Sequence, residues 1–192
     1  MICNDIHEYL IAMFKALQND YQLPDEVPYD LWDYVRNHKD EDKALTGFVG
    51  FGSSFGGRFF QGYARDHQGR NYAGQAKNAL TKDLPYIKQI EFTCMDYKDV
   101  DLPDGCVVYC DPPYRDTKDY AYQRKFDTNE FWEYMRKISK DHIVFISEQN
   151  APDDFISIWE KPLKMTLSKD GENYKDRIEH VYVYKEGILN EH

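Results

Sequence analysis

The chain has 192 residues, 42% hydrophobic, 16% aromatic and 30% charged. That is enough for one compact core with room for an inserted lobe, and it is too apolar for disorder. A formal net charge of −10 argues against indiscriminate binding to a polyanion, although a total says nothing about distribution. Nothing resembles a signal peptide and no apolar run reaches the roughly 18 residues of a membrane span, so the expectation is a cytoplasmic protein with no membrane partner. The four cysteines, Cys3, Cys94, Cys106 and Cys110, form no CxxC pair and have no histidine cluster at zinc spacing, which predicts neither a disulfide framework nor a metal site.

The chain opens with "MICNDIHEYLIAMFKALQND". Ile2 and Cys3 read as the tail of a buried strand, and Asn4 or Asp5 as a helix cap. Leu10, Ile11, Phe14 and Leu17 form the apolar face of the helix that follows. Residues 21–45 carry Pro24 and Pro28 as breakers, then a short helix around Leu31, Trp32 and Val35. From 46 to 74, eight glycines are interleaved with Phe48, Phe51, Phe55, Phe59, Phe60, Tyr63 and Tyr72, a density that predicts irregular loops or a hairpin. Residues 73–84 read as a helix and 89–97 as a strand ending in a polar turn.

The second half alternates more regularly. "CVVYCD" at 106–111 suits a central strand. A helix over 127–140 follows, with Asp127 and Glu130 at capping-box spacing, and then a strand over 142–148. "PDDFISIWE" suggests a short helix, and "KPLKMTLS" and "HVYVYKEG" suggest two strands joined by a polar loop. This order predicts a three-layer α/β domain with a final antiparallel addition.

Two stretches stand out. Asp111-Pro112-Pro113-Tyr114 ends the "CVVYC" strand, and ligands of α/β sheets bind at the carboxyl ends of strands. Two prolines stiffen the loop and remove two amide donors, leaving carbonyls and the Asp111 carboxylate as acceptors. An acceptor-only surface suits the exocyclic amine of adenine, and Tyr114 offers a ring on which an extruded base can stack. The same four residues also make an ordinary stiff turn. From Ser53 to Ile90, six cations, Arg58, Arg65, Arg70, Lys77, Lys82 and Lys88, face two anions, Asp66 and Asp83. Taken alone, that local excess of four reads as plain surface scatter.

Through "NDIHEYLIAMFKALQN", "GFVGFGSSFGGRFFQGYARD", "FTCMDYKD", "VVYCDPPY" and "FISEQNAPDDF" the sequence resembles the Dam-like DNA adenine methyltransferases, particularly phage-encoded ones, over nearly its whole length. The resemblance implies a Rossmann-like S-adenosylmethionine-dependent fold with a catalytic core in residues 1–20 and 86–192 and a target-recognition insertion in 21–85. It implies methyl transfer to the exocyclic amine of a flipped adenine in double-stranded DNA, in the setting of phage or restriction–modification systems. It carries the ribose-binding acid to Asp5, the contacts with the cofactor adenine to Asp96 and Tyr97, and the catalytic loop to Asp111, Pro112, Pro113 and Tyr114. Asp111 is counted among the cofactor contacts as well. For Asp5 a helix cap, and for Asp96 a polar strand end, are the alternatives on sequence grounds.

"GFVGFGSSFGGRFF" contains Phe-x-Gly-x-Gly, the look of a cofactor loop. Such a loop must follow a buried strand and open a helix, and here neither holds: "NHKDEDKALT" precedes it and "SSFGGRFFQGYAR" is a poor helix. The family's order is glycine loop, acid, recognition region, DPPY, and Asp5 lies upstream of this stretch. By resemblance the stretch therefore falls in the recognition region, with Arg58, Arg65 and Arg70 as DNA-contact candidates. The family's first strand and glycine loop would lie before Met1. The expectation is an N-terminally truncated fold that binds S-adenosylmethionine weakly by itself and invites self-association or a second polypeptide at the uncovered strand edge. A noncatalytic DNA-binding remnant is the alternative. Amino-methylation of RNA or of a glutamine side chain fits less well, because the loop is DPPY rather than NPPY.

Overall fold

A computed structural model describes residues 1–65, 67–113, 126–163 and 177–187. They fall into two compact units, Met1–Val100 and Asp101–His192.

In the first unit, β1 (Ile2–Asn4) pairs in parallel with β2 (Glu91–Thr93), Cys3 opposite Phe92. Between them the chain forms α1 (Glu8–Gln18), α2 (Tyr29–Asn37), α3 (Lys43–Gly52), a 3₁₀ turn at Phe55–Gly57 and α4 (Tyr72–Ile87). The periodicity of α1 buries Ile11, Met13 and Leu17 beside Phe48 and Val49 of α3 and Trp32 and Val35 of α2. Phe14 stacks on Phe92 at 4.9 Å, and the Gln18 amide donates to the carbonyls of Ile87 and Ile90, which fixes α1 against the end of α4 and β2.

Three local expectations change here. The strand tail is exposed, Ile2 at 36%. The cap of α1 is neither Asn4 nor Asp5 but His7, whose Nδ1 accepts from the Leu10 amide at 3.3 Å. The first part of the glycine stretch is helix rather than loop: Asp42 caps α3 by accepting from the Leu45 amide, and Gly47, Gly50 and Gly52 lie within it. A Cβ on Gly47 would stand 2.1 Å from the Tyr9 carbonyl oxygen, so the glycine permits a helix contact that a larger residue would block. The hairpin expectation holds farther on, where Ser54 and Tyr63 form an antiparallel bridge. The Trp32 indole donates to Ser54 Oγ at 3.0 Å and the Tyr63 hydroxyl to the Val27 carbonyl at 2.7 Å, tying this segment to α2 and the loop before it.

In the second unit the sheet order is β3 (Val107–Cys110), β4 (Ile143–Glu148), β6 (Arg177–Tyr184), β5 (Phe155–Leu163). β3 and β4 are parallel, and β6 runs antiparallel to both β4 and β5. This is a mixed sheet of the expected kind, with its antiparallel addition. Among the described residues β3 pairs with β4 alone, with Val107 and Tyr109 exposed, rather than standing between two strands. α5 (Thr128–Ile138) begins where the capping spacing predicts, Asp127 Oδ1 accepting from the amides of Asn129 and Glu130. Its apolar face covers the sheet through Met135, 3.6 Å from Cys110 Sγ, and Trp132, whose ring lies 4.7 Å from that of Phe155. "PDDFISIWE" is not a helix: Phe155 opens β5, which runs as one strand through a bulge between Ser157 and Trp159.

Candidate active site

The loop after β3 is positioned by the parallel pairing of β3 with β4, Cys110 opposite Ile146. Pro112 is buried, Pro113 half-buried and Asp111 exposed as a residue. Partial burial of the Asp111 carboxylate, and after it the charge of Glu179, pushes its pKa above the ordinary aspartate value. Tyr114 lies outside the described residues. At the same end of the sheet are groups that local sequence patterns do not flag. Ser147 and Glu148 are buried, the Ser147 hydroxyl donates to Glu179 Oε1 at 3.3 Å, and Glu148 Oε1 accepts from the Gln149 amide at 2.7 Å. The polar end of "FISEQN" is the only sequence signal for the first two.

In the first unit, parallel pairing of β1 with β2 brings the residues after them, Asp5 and Asp96, to the same end of the strand pair. Asn4 joins the two strand ends: its Nδ2 donates to the Met95 carbonyl at 3.0 Å, and its Oδ1 accepts from Thr93 Oγ1 and the Met95 amide. Asp5 Oδ1 accepts from the His7 amide at 2.7 Å and Asp96 Oδ1 from the Lys98 amide at 3.0 Å, so each carboxylate is held by the turn it begins. Lys98 Nζ lies 3.9 Å from Asp96 Oδ2 and 5.8 Å from the center of the Tyr97 ring. Two oriented carboxylates at adjacent parallel strand ends, one followed by an aromatic ring, fit the hydroxyls and base of a nucleoside. No strand followed by a glycine turn and a helix occurs among the described residues. No cluster of three or more His, Cys, Asp or Glu residues able to hold a metal ion occurs among them either.

Arg58, Arg65 and Arg70 are all exposed. Arg65 lines an open cleft of about 490 Å³ with Phe51, Phe55, Gly57, Tyr72 and Gln75. Arg58 follows the 3₁₀ turn, and Arg70 donates to Gln68 Oε1 at 2.8 Å. Two lysines of the same basic segment are paired with acids outside it, Lys77 with Asp25 at 2.7 Å and Lys88 with Asp20 at 2.6 Å, which reduces the local positive excess. Gly56 and Gly57 have φ of 64° and 68°, and nothing stands within 4 Å of where their Cβ atoms would be. The backbone there is open to approach.

No helix among the described residues is long and apolar enough to cross a membrane. No curated protein matches the chain. Residues 64–150 match the family model of the D12 class N6 adenine-specific DNA methyltransferases, a span that holds Arg65, Arg70, Asp96, Tyr97, β3 with its Asp-Pro-Pro turn, α5 and β4. Over that segment the chain is similar to the D12 class of N6 adenine-specific DNA methyltransferases.

Proposed function

We propose that the chain methylates the exocyclic amine of an adenine flipped out of double-stranded DNA at a defined sequence. The observation that carries this is Asp111-Pro112-Pro113 at the carboxyl end of β3, beside parallel β4 and inside the matched segment. S-Adenosylmethionine supplies an electrophilic methyl group when bound. Asp111 accepts one N–H of the target amine and the Pro112 carbonyl accepts the other, directing the nitrogen lone pair at the incoming methyl. Pro112 and Pro113 keep that surface free of competing amide donors. Tyr114 stacks on the extruded base.

The same proposal gives Asp5 the ribose hydroxyls of the cofactor and Asp96 and Tyr97 its adenine, with Asp111 at the reacting end. It makes residues 1–20 and 86–192 a Rossmann-like catalytic core and 21–85 the recognition insertion. Arg58, Arg65 and Arg70 then meet phosphates or base edges, beside glycines that let the backbone come close. β1 and β3 each have an edge with no strand paired to it among the described residues. A second copy or a second polypeptide is proposed to pair there, as exposed strand edges favour. The enzyme would act in the cytoplasm, in a phage or restriction–modification setting.

Calorimetry and a methyl-transfer assay on duplex DNA test this. Binding of DNA should weaken steeply with salt, and Arg58→Ala or Arg65→Ala should each lower the salt slope by about one. Cofactor binding by this polypeptide alone should be weak, since no glycine loop stands among its described residues. Asp111→Ala should abolish transfer and leave the fold intact; transfer retained by that variant would remove Asp111 from its role. That no glycine loop stands among the described residues also favours a second reading, a DNA-binding chain without turnover. DNA binding with neither cofactor heat nor methyl transfer would select it.

A further inference from the structure

Three polar side chains line up on one face of the second unit's sheet at the carboxyl end of β3 and β4. Cys110 pairs with Ile146 in the last step of the β3–β4 ladder, and continuing that register by one residue, with Asp111 kept extended by the proline after it, sets Asp111 abreast of Ser147. Ser147 pairs with Val181, and Glu179, two residues from Val181, points to the same face. The Ser147 hydroxyl, 2% exposed as a residue, donates to Glu179 Oε1 at 3.3 Å.

We propose that Glu179, anchored by Ser147, is a positioning residue that keeps the Asp111 carboxylate ready to take the proton released by the methylated amine. This rests on Asp111 being the catalytic carboxylate proposed above. As the new N–C bond forms, the S–C bond of the donor breaks with its electron pair left on sulfur, and the positive charge passes to nitrogen. One N–H bond must then give its proton to an acceptor and return its pair to nitrogen. An isolated solvated aspartate is a poor acceptor near neutral pH, whereas a partly buried one beside a second carboxylate holds a proton better. Both influences act on Asp111, burial first and Glu179 second.

On this face Lys161 of β5 is registered opposite Glu179, and Tyr109 of β3 precedes Asp111 by two residues; Glu148 and His180 belong to the opposite face. Glu148 follows Ser147 and so points the other way, where its charge, after burial, raises the pKa of Tyr182. His180 pairs with Glu148 across the sheet; its Nδ1 is 3.0 Å from Ser157 Oγ and 3.9 Å from Glu160. α5 also meets that face, through Met135 at Cys110. Glu179 is therefore the described carboxylate that shares a face with Asp111.

The experiment is a carboxyl-carbon NMR titration of Asp111 in the full chain, read beside methylation of duplex DNA across pH. Glu179→Gln should move the Asp111 midpoint downward, Ser147→Ala should move it the same way by less, and Glu179→Asp should restore part of the shift. The acid limb of the kcat profile should follow the midpoint, with kcat lowered by up to roughly tenfold per unit of lost proton affinity and KM for DNA unchanged. An Asp111 midpoint unmoved in folded Glu179→Gln overturns the proposal; if that variant does not fold, an unmoved midpoint in Ser147→Ala overturns it. If the midpoint moves but the unaltered chain transfers no methyl group, the coupling between the carboxylates stands and the assignment of the reaction falls.

Discussion

Gly47 and Gly50 on one side, and Gly56 and Gly57 on the other, stand within eleven residues and meet opposite physical demands. In α3 the glycines are there for size: a Cβ on Gly47 would meet the Tyr9 carbonyl at 2.1 Å, and one on Gly50 the Phe59 ring at 2.3 Å. In the 3₁₀ turn they are there for backbone conformation, with φ of 64° and 68° and open space around them. The first pair fixes α3 to α1 and to the segment after the turn. The second reverses the chain and leaves a surface that a large ligand can approach. A single count of glycines hides this division, and substituting the two sets separately exposes it.

The largest effect is expected at Gly47. The atom an alanine methyl would strike is a backbone carbonyl of α1, which cannot swing aside, so Gly47→Ala should cost about 3 kcal/mol or more, beyond ordinary overpacking. Urea unfolding would show this as a much lower midpoint or as failure to fold. At Gly50 the obstruction is the aromatic ring of Phe59, which can shift, and the loss should fall to about 1–3 kcal/mol. Equal, small losses at both positions would mean that α3 and α1 are not packed on glycine.

Why α3 escapes sequence inspection follows from the same contacts. Each interior glycine costs a helix about 1 kcal/mol relative to alanine, so three of them locally favour a loop. The compensation comes from Tyr9, Met13 and Phe59, which lie far from α3 in local pattern. Elements specified by their own residues are legible: the apolar face of α1, the Asp127 cap of α5 and the apolar run of β3. β5 is not, because Pro152 and Asp153 resemble a helix start and the bulge at Ser157 breaks the strand alternation. The site divides in the same way. Asp111 is legible because a strand and two prolines announce it, whereas Ser147 and Glu179 meet only through antiparallel register across 32 positions.

At Gly57 the expected loss is smaller and has a different cause. No atom obstructs an added methyl, so Gly57→Ala should cost only the left-handed backbone penalty, about 1 kcal/mol. Gly57→Asn should cost less, since asparagine tolerates that region better. Urea midpoints in the order wild type, Gly57→Asn, Gly57→Ala would confirm a conformational demand. An asparagine variant as unstable as the alanine one would point to a steric demand instead.

The smallest effect lies at a residue that joins the two halves of the stretch. His7 is 5% exposed, and its ring meets Phe51 of α3 at 4.9 Å and Phe59, beyond the turn, at 4.4 Å. Burial lowers its pKa, outweighing the opposing pull of Asp5 and Glu8. Because the folded value lies below the unfolded one, the two states bind protons alike well above the unfolded pKa near 6.5, and the unfolded chain binds more below it. Stability should therefore fall as pH drops from about 7, by less than about 1 kcal/mol at pH 6. Protonation would also remove the Nδ1 acceptor that caps α1. His7→Asn keeps a capping acceptor without the titration, so its unfolding free energy, subtracted from that of the wild type, should be constant above pH 7 and become less favourable to the wild type below. A difference independent of pH between 5.5 and 8 would mean that His7 does not couple packing of the glycine stretch to protonation.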